Sequence, residues 1–495
     1  MTTDTRPTPA DSDRSDLRFI IIGAGMAGIL SAIKLREAGL DDFAIYEKAD
    51  HLGGTWRENT YPGIACDVPS HLYSYSFASN PEWSHRFSPG SEIQTYFEDI
   101  ARRYGVYSRI QTGKEVTRCA FEDGRWKLEM ADGTTDVGDF VIAATGVLHH
   151  PAYPDFDGLD DFEGTTFHSA RWDHSVPLAG KRVGVVGTGS SAIQIVAALV
   201  DQVAELSLFQ RTAQWIMPIE NPAYSQEEKA EFRRHPEAMG AIRAEISRAF
   251  IDGFANVLVD AESPVMQAIH TTCEANLENS VKDPELRERL RPDYRAACKR
   301  LIMSDGFYQA IQRPNAKLVT EGIDRIEKSG VRTRDGQLHE LDLLILATGF
   351  RVDRFMRPME VVGRNGTRLE DVWQETPSAY MAISIPDFPN LFMLNGPNGP
   401  VGNFSLIEIA EMQFSYIMQL VELVRSRCCN QVSASRAALE RFNAERKQAA
   451  KTTIWASGCK SWYLDDDGLP TAWPWTFDRF REEMAKPRLS EFEMR

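Results

Sequence analysis

The chain has 495 residues, enough for roughly two to four domains and for large cores without disulfide or metal staples. Its 43% apolar and 25% charged content excludes a disordered or fibrous chain, and its net charge of −16 argues against nucleic acid bound over a broad surface. The seven cysteines include no C-x-x-C pair, and Cys428 and Cys429 are adjacent. They read as reduced cytosolic thiols rather than a dithiol redox centre or a zinc ribbon, and no metal site is expected.

Residues 1–15 are polar and rich in Pro, Thr and Asp, which reads as a disordered tail rather than a signal peptide. The apolar stretch 19–30 contains three glycines and is too short to span a bilayer, so a soluble cytoplasmic protein is expected. Residues 18–23 predict a buried strand. It turns at Gly23-Ala24-Gly25-Met26-Ala27-Gly28 into a helix through Glu37, which Gly39 stops, and 43–47 is the next strand. The pattern returns further on: a strand over 182–187, a turn at Gly187-Thr188-Gly189-Ser190-Ser191-Ala192, a helix over 193–200 and a strand over 206–211. Two strands end in Ala-Thr-Gly, at Thr145-Gly146 and Thr348-Gly349, and each closes a parallel sheet in this reading. Between the second unit and its Ala-Thr-Gly lies a charged, Gly-poor stretch over 220–297, with helical runs at 226–234 and 241–250. Near the C-terminus, Ser405 and Glu408 have capping-box spacing. Ile409, Met412, Tyr416, Leu420 and Val424 mark the apolar face of the helix they open.

A Gly-x-Gly-x-x-Gly turn between strand and helix lets the backbone approach a pyrophosphate at the helix N-terminus. Gly23, Gly25 and Gly28 have that context, and Glu47 ends the next strand 24 residues after Gly23, where it can accept hydrogen bonds from ribose hydroxyls. In the second copy Arg211, followed by Thr212, stands 24 residues after Gly187. A guanidinium pairs with a 2′-phosphate that a carboxylate would repel, so the second site is expected to prefer NADP(H) and the first a dinucleotide without that phosphate. Two such folds in series suggest a flavin and a nicotinamide facing each other for hydride transfer.

The stretch Phe162-x-Gly164-x-x-x-His168-x-x-x-Trp172-Asp173 resembles, at every fixed position, the fingerprint of type I Baeyer–Villiger monooxygenases. A second pattern of that family is also complete, from Gly53-Gly54-Thr55-Trp56 through Tyr61-Pro62-Gly63 to Asp67. The resemblance covers roughly residues 18 to 480. It implies FAD and NADPH as cofactors, with Gly54, Thr55, Trp56, Tyr73 and Val116 lining the flavin. Gly187, Thr188, Gly189, Ser190, Ser191, Arg211, Thr212 and Lys299 would hold NADP. By the same resemblance Arg300 stabilises the peroxyflavin and the tetrahedral adduct, and Asp67 orients it. His168 couples the two nucleotide domains by position rather than by acid–base work. Trp462 is the candidate tryptophan of a C-terminal loop closing over NADP and substrate; for Trp455, Trp473 and Trp475 core or lid packing is the expectation. The helix after Ser405 would aim its N-terminus at the flavin. Ala152 stands where some relatives carry Gln.

The expected architecture is α/β, with two dinucleotide-binding (Rossmann-like) domains and a helical insertion. Residues 16–150 and 383–495 form the FAD domain, the latter with the C-terminal lid region. Residues 151–218 and 299–382 form the NADP domain, and 219–298 the insertion. The expected activity is an NADPH- and O2-dependent oxidoreductase, a flavoprotein monooxygenase that converts a ketone to an ester or lactone through a C4a-peroxyflavin. An N- or S-oxygenating flavin monooxygenase is the first alternative. A non-oxygenating NADPH:FAD reductase or redox-sensing nucleotide-binding protein is the second.

Overall fold

The computed structural model describes residues 16–400, 404–461, 464–465 and 468–495. The tail expected over 1–15 and the candidate Trp462 lie outside them. The first sheet has five parallel strands in the order Leu391–Met393, Phe140–Ala143, Phe19–Ile22, Phe43–Tyr46, Ile110–Gln111. Its central strands are buried on both faces, which is why they read as unbroken apolar runs such as Phe-Ile-Ile-Ile. The helix Met26–Glu37 follows the first strand and ends just before Gly39, whose φ is +74°. The second sheet repeats the plan in the order Ala316–Val319, Glu205–Phe209, Arg182–Val186, Leu343–Leu346, Thr165–His168. Its turn leads into the helix Ser190–Leu199.

The two Ala-Thr-Gly segments have one physical cause. Gly23 has φ +104°, and a Cβ there would stand 2.5 Å from the carbonyl oxygen of Ala144. Gly187 has φ +116°, and its Cβ would stand 2.4 Å from that of Ala347. In each unit the Ala carbonyl packs flat against the first glycine of the turn, so neither position tolerates a side chain.

A four-stranded sheet (Glu360–Val362, Val116–Glu122, Arg125–Met130, Thr135–Gly138) covers one face of the first unit, with Trp126 and Leu128 in the shared core. A three-stranded sheet over 323–340 covers the second. Between Met217 and Ile302 the chain forms the helices Gln226–Arg234, Pro236–Phe250, Pro264–Ser280 and Pro284–Arg289, with a π-helical turn at Ile251–Ala255. The helix Leu406–Arg425 packs on the first unit through Ile409, Tyr416, Leu420 and Val424, with Met412 half-buried at the margin. Among the described residues no helix is long and apolar enough to cross a membrane.

Two expectations are corrected. Ser405 and Glu408 form no capping box. The Ser405 hydroxyl donates to the Leu72 carbonyl at 3.4 Å, and the Glu408 carboxylate accepts from Ser247 at 3.2 Å, so tertiary partners replace the local cap. The cysteines are not all free thiols: Cys298 and Cys459 form a disulfide across a separation of 161 residues. Pairing at that range leaves no local spacing signal, because the fold alone brings the two Cα atoms to 6.1 Å.

Candidate functional site

A long cavity of about 1360 Å³, counting its open mouth, runs along the C-terminal end of the first sheet. Gly23, Gly25, Glu47, Gly54, Thr55, Trp56, Tyr73, Val116 and Leu406 are among its walls. Glu47 is 5% exposed and reaches back across the turn. Its Oε2 accepts the Ala24 N–H at 2.8 Å, and its Oε1 accepts the Ala49 N–H at 3.0 Å and lies 3.2 Å from Arg57. A carboxylate so fixed retains lone pairs for ribose hydroxyls and would repel a phosphate. Two backbones meet edge to edge at Gly25 and Gly54, where a Cβ on Gly25 would lie 3.4 Å from the Gly54 Cα. Trp56 Nε1 donates to the Tyr73 hydroxyl at 3.2 Å, and burial pushes that phenol's pKa upward. Gly28 does not line the cavity. Its Cβ would strike the Gly23 carbonyl oxygen at 1.9 Å, so it serves helix–turn packing.

At the second turn, space is open above Gly189, where a Cβ would meet nothing within 4 Å. Ser190 opens the helix. The Thr188 hydroxyl donates to the Thr212 carbonyl at 2.7 Å and so ties the turn to the end of the next strand. Arg211 is exposed beyond that strand. Lys299 Nζ sits 4.7 Å from the Tyr294 ring centroid. Partial burial lowers the Lys299 pKa, the Arg211 charge lowers it further, and Asp293 opposes both. Two cations 88 positions apart in sequence thus lie close enough for their charges to interact, which fits a 2′-phosphate. Ser191 is drawn elsewhere: its hydroxyl donates to Tyr61 of the first unit at 3.1 Å.

Where the two units meet the insertion, a smaller cavity of about 270 Å³, counting its open mouth, is lined by Asp67, Val68, Phe250, Phe254, Arg300, Leu301, Met303 and Phe404. Arg300 donates to Asp67 Oδ2 at 2.5 Å, and the other described residues of the wall are apolar. His168 is 0% exposed and lines neither cavity. Its Nδ1 accepts the Ala170 N–H at 3.1 Å, and its Nε2 faces the Gly349 carbonyl at 3.0 Å. That pattern requires the Nε2–H tautomer, and burial depresses its pKa to about 4. His168 therefore ties the end of a strand to the Ala-Thr-Gly segment. Trp455 and Trp473 are core residues, 2% and 1% exposed.

The sequence profile of pyridine nucleotide-disulphide oxidoreductases matches residues 20–235. A protein of Streptomyces coelicolor named Baeyer-Villiger monooxygenase is 38% identical over 97% of this chain and 92% of its own. The chain belongs to the Baeyer–Villiger monooxygenase family. An uncharacterized monooxygenase of Mycobacterium tuberculosis is 47% identical over 96% of this chain and 95% of its own. The crystal structure of OTEMO in complex with FAD and NADP superposes with a TM-score of 0.87 at 25% identity, covering 98% of this chain and 100% of that one.

In this Baeyer–Villiger family member the segment from Gly53 to Asp67 does more than line one pocket. Its Gly54 touches the first turn and its Trp56 walls the large cavity. Its Tyr61 hydroxyl donates to Gln194 at 2.9 Å, with the phenol pKa pushed up to about 12 by burial. Gly63, at φ +83°, lets the chain pass 2.7 Å (Cβ position) from the Gln194 carbonyl oxygen, and Asp67 ends at Arg300. The sequence reading missed Phe250 and Phe254, which sat in an insertion read only as helical. It also missed Arg57, Arg171 and Glu58. Arg171 of the fingerprint pairs with Glu58, and His174 meets the Thr60 hydroxyl at 2.8 Å, so the two family patterns are hooked to each other.

Proposed function

We propose that this chain is an NADPH-dependent FAD monooxygenase that inserts one oxygen atom beside a ketone carbonyl, giving an ester or lactone and water. In this reading residues 16–150 and 383–495 hold FAD through the Gly23 turn, Glu47 and the walls around Trp56 and Tyr73. Residues 151–218 and 299–382 hold NADPH through the Gly187 turn, Arg211, Thr212 and Lys299. Bound flavin, reduced by the nicotinamide, supplies the activation of dioxygen. The observation that carries the proposal is the Arg300–Asp67 pair on the wall of an apolar cavity where both units meet. A guanidinium cannot give up its proton, so it presents a fixed positive charge to an oxyanion formed beside it. Asp67 holds its orientation. Phe250, Phe254, Leu301, Met303 and Phe404 present an apolar wall beside Arg300 to a carbonyl compound.

The test is a ketone panel in which NADPH consumption, ester formation and hydrogen peroxide are measured together. Ester formed in near-stoichiometric ratio to NADPH is the expected result. Sulfoxide or N-oxide without ester would favour the N- and S-oxygenating alternative. NADPH consumption yielding peroxide alone with every ketone would leave only a reductase.

A further inference from the structure

Lys299 and Arg300 come from a stretch with little regular structure. Between the helix Pro284–Arg289 and the two-residue strand Ile302–Met303 the backbone forms only turns and bends. On the C-terminal side it is held by the short parallel pairing of Ile302 with Ile216. On the N-terminal side the residue next to Lys299 is Cys298, 0% exposed and bonded to Cys459. Cys459 belongs to a segment that serves both units. The helix Arg436–Ala450 inserts Phe442 into the core of the first unit, and Ile454 and Trp455 then enter the core of the second. The Trp455 carbonyl oxygen lies 3.8 Å from Cys298 Sγ. The disulfide thus joins the base of the Lys299–Arg300 stretch to a well-packed anchor shared by the two units.

We propose that Cys298–Cys459 is a positioning cross-link that holds Lys299 beside Arg211 and Arg300 beside Asp67. It rests on the proposed function for its effect on oxygenation. Neither cysteine lines either cavity, and both act through the two cations. Reduction passes two electrons and two protons to the sulfurs. With dithiothreitol as the donor, its two thiols close into a cyclic disulfide. Freed of the bond, the stretch keeps its two-residue strand and the hydrogen bonds of Tyr294, Arg295 and Ala296, but Lys299 and Arg300 lose the covalent tie beside them. Displacements of about 1 Å at a reacting group can cost up to ~100-fold in rate.

The experiment begins with denaturing alkylation of FAD-loaded protein purified without reductant. Five of the seven cysteines should be labelled, namely Cys66, Cys119, Cys273, Cys428 and Cys429. Cys298→Ala, Cys459→Ala and the double variant should then bind FAD like the parent. Each should raise the KM for NADPH and lower ester per NADPH by about tenfold. All three losses should be equal, because each variant removes the same bond. Dithiothreitol should bring the parent to the variants' behaviour and leave the double variant unchanged. Seven labelled cysteines, losses that add in the double variant, an unaltered KM and yield, or a reductant effect that persists in the double variant would each overturn the proposal. If the parent makes no ester from any ketone, the functional reading fails, while the alkylation count and the KM for NADPH still decide the cross-link.

Discussion

Arg300 and Asp67 are 233 residues apart in sequence and 2.5 Å apart in space, and no periodicity or spacing in the chain announces the pair. Lys299-Arg300 alone reads as a solvated doublet; only the resemblance singled it out, and the roles of both residues remain proposals for experiment. Arg300→Ala should keep NADPH-dependent flavin reduction, which needs only that the two rings meet. It should lower ester formation by roughly 100- to 1000-fold, with hydrogen peroxide taking the place of ester. Asp67→Ala should show a milder version, since the carboxylate orients the guanidinium. Product per NADPH consumed is the deciding measurement, and ester at the parent rate from Arg300→Ala would remove it from the mechanism. Arg211 is a different case, because its place 24 residues after Gly187 was legible without the fold. What the sequence could not supply is its neighbour Lys299, delivered by a stretch on the far side of the insertion. Loss of a charge-assisted phosphate contact of about 1.5–3 kcal/mol should raise the KM for NADPH at least tenfold in Arg211→Ala and leave the KM for NADH unchanged. A parent enzyme indifferent to the 2′-phosphate would defeat that argument.

At the scale of elements, the parallel sheets and their Gly-rich turns were readable because a strand buried on both faces is an apolar run and a turn against a carbonyl needs glycine. Docking between elements was not readable, because it depends on side chains that look solvated in sequence. Arg243 is the clearest example. It lies on the helix Pro236–Phe250, and its Nη1 donates to the carbonyls of Leu72 at 2.8 Å and Ser74 at 2.6 Å. Ser247, one turn on, donates to Glu408. The next turns of the same helical run carry Phe250 and Phe254 to the small cavity, while the loop that Arg243 grips carries Tyr73 to the large one. Arg243 therefore ties the helix that carries the apolar wall to the loop that lines the large cavity. Arg243→Ala takes the donor from the Ser74 carbonyl, at a cost of about 1–3 kcal/mol, and leaves the Leu72 carbonyl with only the 3.4 Å contact from Ser405. The expected result is a lower melting temperature and a KM for ketone raised several-fold more than the KM for NADPH, with Arg243→Lys intermediate. Equal shifts in both constants would mean that the helix is only a structural cover.

Across the whole molecule, the segment from Gly53 to Asp67 runs between the units, and three histidines join segments distant in sequence. His168 joins the end of its strand to Gly349, and His149 meets the Phe355 carbonyl at 2.9 Å. His71, 4% exposed, packs between Tyr224 and Phe232 of the insertion with ring centroids at 5.3 and 4.9 Å. The sequence marked His168 as a coupling residue through the fingerprint. His71 and His149 carried no signal, because a histidine in an aromatic cage looks like any other until its neighbours are known. His168→Ala should fold and keep FAD, yet lose oxygenation through misplacement of the second unit; loss of FAD, or unchanged turnover, would count against the coupling role. Burial lowers the pKa of all three to about 4, against the ordinary 6.5. The unfolded chain therefore binds more protons than the folded one between pH 6.5 and pH 4. Their contribution to stability is complete above pH 6.5 and is lost as pH falls through that window. Each histidine that stays neutral in the fold adds up to about 1.4 kcal/mol per pH unit to the slope. His71→Phe keeps an aromatic ring in the cage and removes one of those protons. Denaturant midpoints measured from pH 7 to pH 4.5 should therefore fall less steeply in His71→Phe than in the parent, by close to one proton's worth of slope. An identical slope in the two proteins would mean that His71 takes up its proton without opening the seam between the insertion and the first unit.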